Sequence, residues 1–432
     1  MTNNVAVAEV AARPEPSRLY RWIVLMFISL AMLGNYYVYD CIAPVADLLV
    51  KQLHFSDANI GLLQAIYSMP NVFMVLIGGV IVDRIGTRKA IFIFGVLCLL
   101  GAGITVTSPK LPVMASGRLV FGIGAESLIV AVTTAVAKWF RGKELSFAFG
   151  INLMIARLGT WLAQNSPTWA QPAYNNWRNP LLIAVGFGTL CVIGAVLYWF
   201  FEVRAERKYS LGQAGSSDKV VFADIFKFGR SYWYIVGLCI VFYSGIFPFE
   251  TFAIKFFMDA HHTSRELGGF LVSILTAFTM FGTPAFGLSA DKVGKRALLM
   301  MFGSLLLIPV YLMMAYTQVT LYVPMAMMGV AFSLIPAVMW PSVAYIVGQS
   351  KLGTAYGLMT MIQNIGLAGF NLLIGWANDH AHASAANPNG YRLGMWIFSI
   401  LGLVGMTFAF LLRQRETGPH GHGLETITPK AA

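Results

Sequence analysis

Few residues in this chain have a type and placement that could do chemistry, and two stand out: Glu126 and Arg157. Each lies near the middle of an apolar stretch long enough to span a bilayer, within GRLVFGIGAESLIVAVTTAVAKWFRGKELSFAFGINLMIARLG, residues 117–159. A charge at that depth is costly, so such residues face a cavity or each other and mark a transport path. One acid and one base at matching depth on adjacent helices suit a ligand that carries both charges. The bland alternative is a buried pair that only fixes two helices, and desolvation leaves such a pair little net stability.

Other candidates surround them. Arg118 precedes Glu126 by roughly 12 Å along a helix axis and about 80° around it, placed either to neutralise Asp40 or to line an outer cavity. Asp40 and Glu250 come late in the first and seventh apolar runs, as gates, pocket acids or interfacial snorkellers. Tyr36, Tyr37, Tyr39, Tyr67, Tyr243, Phe249, Trp340, Gln363 and Asn364 are candidate cavity-wall residues. For each aromatic one, ordinary packing or an interfacial belt is the leading reading. Histidines 54, 261, 262, 380 and 382 fall between runs, where solvation is the default. No Walker, GxSxG, HExxH or paired-carboxylate constellation occurs, so no enzyme, metal or cofactor is indicated.

These side chains need a membrane scaffold to hold them. The chain of 432 residues is 57% hydrophobic and only 11% charged, against about a quarter charged in a soluble domain. Windows of about 20 apolar residues predict twelve helices, near 20–44, 58–82, 90–108, 113–137, 146–168, 179–202, 231–257, 265–290, 297–317, 319–347, 353–378 and 391–413. A polar interruption at 203–230 divides them into bundles of six, 19–202 and 231–413, between disordered tails 1–18 and 414–432. The fold class is an all-α membrane protein. Placing both termini and the linker on one side gives that side 22 of the 30 Lys and Arg, which makes it cytoplasmic. The net charge of +11 therefore reports topology and no nucleic-acid partner. The four cysteines fall in or beside apolar runs and indicate neither disulfides nor zinc.

The halves repeat. Gly79, Asp83, Gly86 and Arg88 of GGVIVDRIGTRK recur as Gly287, Asp291, Gly294 and Arg296 of FGLSADKVGKR. With Arg84 and Lys292 they form paired turns suited to a latch that breaks between conformations. AESLIVAV (125–132) matches AFSLIPAV (331–338), and AFGINLMIARLG (148–159) matches AYGLMTMIQNIG (355–366). Duplicated halves of this kind characterise secondary transporters. The repeat breaks where Glu126 is matched by Phe332 and Arg157 by Asn364, so the scaffold itself tolerates neutral residues at both places.

The double GxxxDRxG turn and the RxxxGxG pattern beginning at Arg118 resemble the major facilitator superfamily over nearly the whole length. More narrowly, FGIGAESLIVA, WFRGKEL, MIARLG, MWPSVAYIV, LGTAYGLM and IQNIGLA, with YSMPNV and FPF, resemble its branch of lysosomal dipeptide uniporters. The resemblance implies carriage of short peptides by alternating access with no obligatory driving ion. It also implies that the helix-four acid and helix-five arginine, here Glu126 and Arg157, hold the peptide. An extended dipeptide spans about 7 Å; Glu126 would take its ammonium and Arg157 its carboxylate through the guanidinium fork. The tail shows no acidic dileucine signal, and no N-x-S/T site occurs, so the expectation is a monomer in a plasma membrane, the inner membrane of a bacterium. The other reading is a proton-coupled carrier of organic anions.

Overall fold

The computed structural model describes residues 14–140, 144–209, 228–348 and 351–426. The expected tail as far as residue 13, the basic turn residues 141–143, most of the 203–230 linker and residues 427–432 lie outside the described residues. Among those described are twelve long helices. The first half has α1 (Arg18–Asp40), α2 (Asp57–Ile85), α3 (Thr87–Thr107), α4 (Leu111–Phe140), α5 (Leu145–Gln164) and α6 (Arg178–Lys208). The second has α7 (Arg230–His261), α8 (Arg265–Val293), α9 (Arg296–Tyr316), α10 (Tyr322–Ile346), α11 (Leu352–His380) and α12 (Arg392–Glu416). Ten stretches are long and apolar enough to cross a membrane. The two arms of α2, which meet at 55° near Val75, make an eleventh; α5, 20 residues long with Arg157 in its second half, does not reach that measure and packs on α1 and α8.

Helix packing reproduces the internal repeat. In the first half α3 packs on α4, α2 on α4, α1 on α6, α3 on α6 and α1 on α5. Adding six to each label gives the main contacts of the second half. Two pairings bridge the halves, α2 with α11 and α5 with α8, and they are equivalent under the same exchange. One apolar cluster lies wholly in the first half, whereas the other fills the second and continues into Val45, Leu49, Ile60 and Leu63 of the first. The halves therefore share a core at one end, the end away from the chain termini.

Three boundaries differ from expectation. α1 stops at Asp40 instead of running to 44, because Pro44, lacking an N–H and clashing in a helix interior, opens a short 3-10 turn, Ala43–Val45. α6 continues past 202 to Lys208, because its acidic residues find cations: Lys138 Nζ lies 2.7 Å from Glu202 and 3.3 Å from Glu206, and Arg88 lies 2.6 Å from Glu206. The C-terminal tail is ordered through residue 426. Leu424 is fully buried, Glu425 accepts from the Ala297 amide at 2.8 Å, and this acid sits on the positive end of α9. In this stretch His422 Nδ1 lies 2.9 Å from the Glu416 carboxylate.

Candidate functional site

Between the halves lies a cavity of about 250 Å³. Ten of the fourteen candidate side chains named from the sequence line it. From the first half come Tyr36, Tyr39, Asp40, Tyr67, Glu126 and Arg157; from the second, Tyr243, Trp340, Gln363 and Asn364. Asn35, Phe247 and Thr360 also line it. Those three carry no sequence signal beyond being polar or aromatic within a span, and they become visible only when helices α1, α7 and α11 are packed.

The two charges are not closed on each other. Glu126 accepts one hydrogen bond, from the Tyr67 hydroxyl at 3.3 Å. Among the described residues Arg157 has no ion pair and no hydrogen bond; its guanidinium lies 5.6 Å from the Tyr36 ring and 5.7 Å from that of Phe332. Phe332 is the repeat counterpart of Glu126, so the second half offers an aromatic face where the first offers an acid. Cation–π contact holds an arginine in place while leaving its five N–H donors available. On the opposite wall Trp340 Nε1 donates to the Tyr243 hydroxyl at 2.9 Å, and Asn364 turns its amide onto the Thr360 carbonyl at 3.0 Å.

Arg118, expected beside Asp40 or in the cavity wall, does not line the cavity; it lies near enough to Asp40 for the two charges to interact, with no ion pair between them among the described residues. It is 1% exposed, and its guanidinium donates to the carbonyls of Leu63 (3.3 Å), Val38 (3.0 Å) and Tyr39 (3.2 Å) and to Gln64 Oε1 (2.5 Å). It ties α1, α2 and α4 together, because the carbonyls left open where α1 ends need donors. Tyr37 is stacked on Phe187 at 3.8 Å and Phe249 packs on Tyr311 and Phe398, so both belong to the core.

At the end away from the termini a polar network joins the halves. Buried Lys255 of α7 pairs with Asp57 of α2 at 2.9 Å and donates to Tyr391 at 2.9 Å. Asn378 of α11 also donates to Asp57, at 3.0 Å. The neighbouring Asp379 carboxylate accepts from the Asp57 and Ala58 amides at 2.8 and 2.9 Å. A residue of the second half thus caps a helix of the first, where an anion is favoured by the unsatisfied amides and the dipole. Nearby, Arg265 of α8 pairs with Asp47 at 2.6 Å. Gln164 of α5 links Glu250 (3.4 Å) to Thr276 (2.7 Å). Glu250 therefore stands at this junction and not in the cavity wall. Backbones approach so closely here that a Cβ on Gly61 would overlap the Asn371 carbonyl, and one on Gly375 would lie 2.5 Å from that of Asp57.

The paired turns sit at the opposite end. Gly86 and Gly294 have φ of +83° and +69°, a conformation glycine reaches without steric cost. Gly79 and Gly287 keep their helix faces clear of other backbone. Arg88 pairs with Glu206 within the first half; Arg296 pairs with Asp291 at 3.1 Å and covers the Tyr345 ring within the second. Asp83, Arg84 and Lys292 are exposed there.

Twelve helices in two equivalent bundles, closed at one end around a shared polar cavity, define a membrane transporter and not an enzyme. The chain belongs to the Major Facilitator Superfamily, whose model matches residues 28–368 and 251–430. It is 32% identical over 431 residues to the lysosomal dipeptide transporter MFSD1 of Mus musculus, covering 95% of this chain and 90% of that one. A lower similarity, 26% over 228 residues and 49% of this chain, reaches a galacturonate transporter of Dickeya chrysanthemi, 65% of which is covered. Among solved structures, a bacterial homologue of the human lysosomal transporter Spinster, inward-facing and unoccupied, superposes with a TM-score of 0.73 at 18% identity. That match covers 92% of this chain and 98% of the other, and it speaks for the fold.

Proposed function

We propose that this protein is a uniporter of dipeptides or similar small zwitterions that works by alternating access. Glu126 holds the ammonium and Arg157 the carboxylate. The observation that carries this reading is that both charges face one cavity and neither is spent on the other. The name of the mouse relative supports the substrate class. The basic residues place the termini in the cytoplasm, so the conformation described is closed to the outside and inward-facing, and the paired turns act as the latch of the opposite state. The animal relatives are named as lysosomal, so the plasma-membrane address expected from the sequence is not carried forward; the topology holds for either membrane. One chain encloses the whole cavity, so a monomer suffices.

A second reading, a proton-coupled carrier of organic anions, is favoured by the similarity to the galacturonate transporter. There Arg157 binds the carboxylate, and Glu126 or Asp40 carries the proton. Thermal unfolding of the purified chain against dipeptides, amino acids, monocarboxylates and galacturonate separates the two. A ligand that binds only the folded state stabilises it by roughly 2.7 kcal/mol at a hundred times its Kd. A dipeptide shift that disappears in both Glu126→Gln and Arg157→Gln supports the zwitterion site. A shift with galacturonate that requires Arg157 and survives Glu126→Gln replaces it with the anion carrier.

A further inference from the structure

A second cavity of about 320 Å³ adjoins the first, and the two share Arg157, Tyr243 and Trp340 as a common wall. Beyond that wall it is lined by Leu153 and Met154 of α5, Met280 and Pro284 of α8 and Phe332 of α10. Among the described residues Arg157 is the only charged one on its surface, whereas the central cavity also carries Asp40, Glu126 and three side-chain amides. Unbranched, polarisable methionines let such a wall adapt to different apolar shapes.

We propose that this second cavity is the subsite for the C-terminal side chain of the peptide, and that it selects an aliphatic or aromatic group there. The proposal rests on the zwitterion reading. A carboxylate held by Arg157 is bonded directly to the C-terminal Cα, which therefore lies at the shared wall. The side chain on that Cα enters the adjoining apolar space, and its burial there is favourable. The N-terminal residue, held at Glu126, stays among Tyr36, Tyr67 and Gln363, where polar groups offer less to an apolar side chain.

Gly150 supplies the perturbation. It lines the second cavity, and a Cβ built on it meets nothing within 4 Å, so a larger residue there projects into the space without displacing backbone. The test measures affinities of the full chain in detergent for Ala-Leu, Leu-Ala and Ala-Ala. The first two have the same atoms and charges and differ only in which residue bears the isobutyl group. Ala-Leu is expected to bind about tenfold tighter than Leu-Ala, at the lower edge of the roughly 10- to 200-fold that hydrophobic pockets draw from one methylene. Gly150→Phe is expected to remove that difference. Equal affinities in the wild type, which need no variant to observe, overturn the subsite. So does a preference that survives Gly150→Phe, or one lost together with Ala-Ala binding. If none of the three peptides binds while monocarboxylates do, the zwitterion reading itself has failed and the subsite falls with it.

Discussion

Replacing Lys255 by Met should open the end of the molecule away from the termini. Lys255 and Asp57 are 6% and 3% exposed and meet at 2.9 Å across the two halves. Methionine fills a similar volume but leaves the Asp57 carboxylate buried with Asn378 and without its cation. Stranding one partner of a buried pair costs about 3–5 kcal/mol. Asp57 escapes that cost when the halves part and water reaches it, so most of the penalty falls on the closed state alone. At 1.4 kcal/mol per tenfold, the equilibrium between closed and open shifts by roughly two to three and a half orders of magnitude. The assay is the electron–electron distance distribution between spin labels on Asn179 and His380, exposed positions at this end on opposite halves. Wild type should give one short population, and Lys255→Met a longer one that dominates. The double variant Lys255→Met with Asp57→Asn, with no charge stranded across the halves and Asp259 keeping its bond from the Tyr391 hydroxyl, should return toward the short distance. A distribution that Lys255→Met leaves unchanged would refute the assignment of this network as the outer gate.

Gly61→Leu should produce the same longer distance by steric means and abolish transport, since its side chain would occupy the position of the Asn371 carbonyl. Arg118→Met should lower stability by on the order of 3 kcal/mol, as buried carbonyls lose their donors. Because Arg118 lies outside the cavity, ligand affinity measured by calorimetry should stay within about twofold. Trp340→Phe removes the donor to the Tyr243 hydroxyl; at about 1 kcal/mol for such a bond, dipeptide Kd should rise about fivefold with little change in unfolding midpoint.

The spans, the duplication and the two mid-membrane charges were legible in the sequence because each leaves a local mark: an apolar window, a repeated turn, a charge where none is cheap. The polar network that joins the halves left no such mark. Asp57 and Lys255 are 198 positions apart, Asp57 and Asp379 322. At the ends of apolar runs they look like the solvated charges that every span carries. Only the packing of α2 on α11 turns them into partners. Arg118 shows the same limit: helix geometry gave its direction from Glu126, while its partners are carbonyls exposed where α1 ends, a break set by Pro44. The docked tail was missed because one buried leucine and one capping glutamate in a polar stretch have no periodicity to read.

Glu126 and Arg157 both belong to the first half, and the second half answers them with a ring and amides. On the zwitterion reading proposed above, a dipeptide gripped at both charged ends would be a passenger of one bundle. Were the bundles to rock, its strongest contacts would travel with it, and the second bundle would act as a sliding door whose aromatic face passes over the bound molecule without having to break a salt bridge. Its departure would then wait on water reaching the acid and the arginine, two groups on a single wall. A sequence duplication that began with equivalent halves has become a seat and a door.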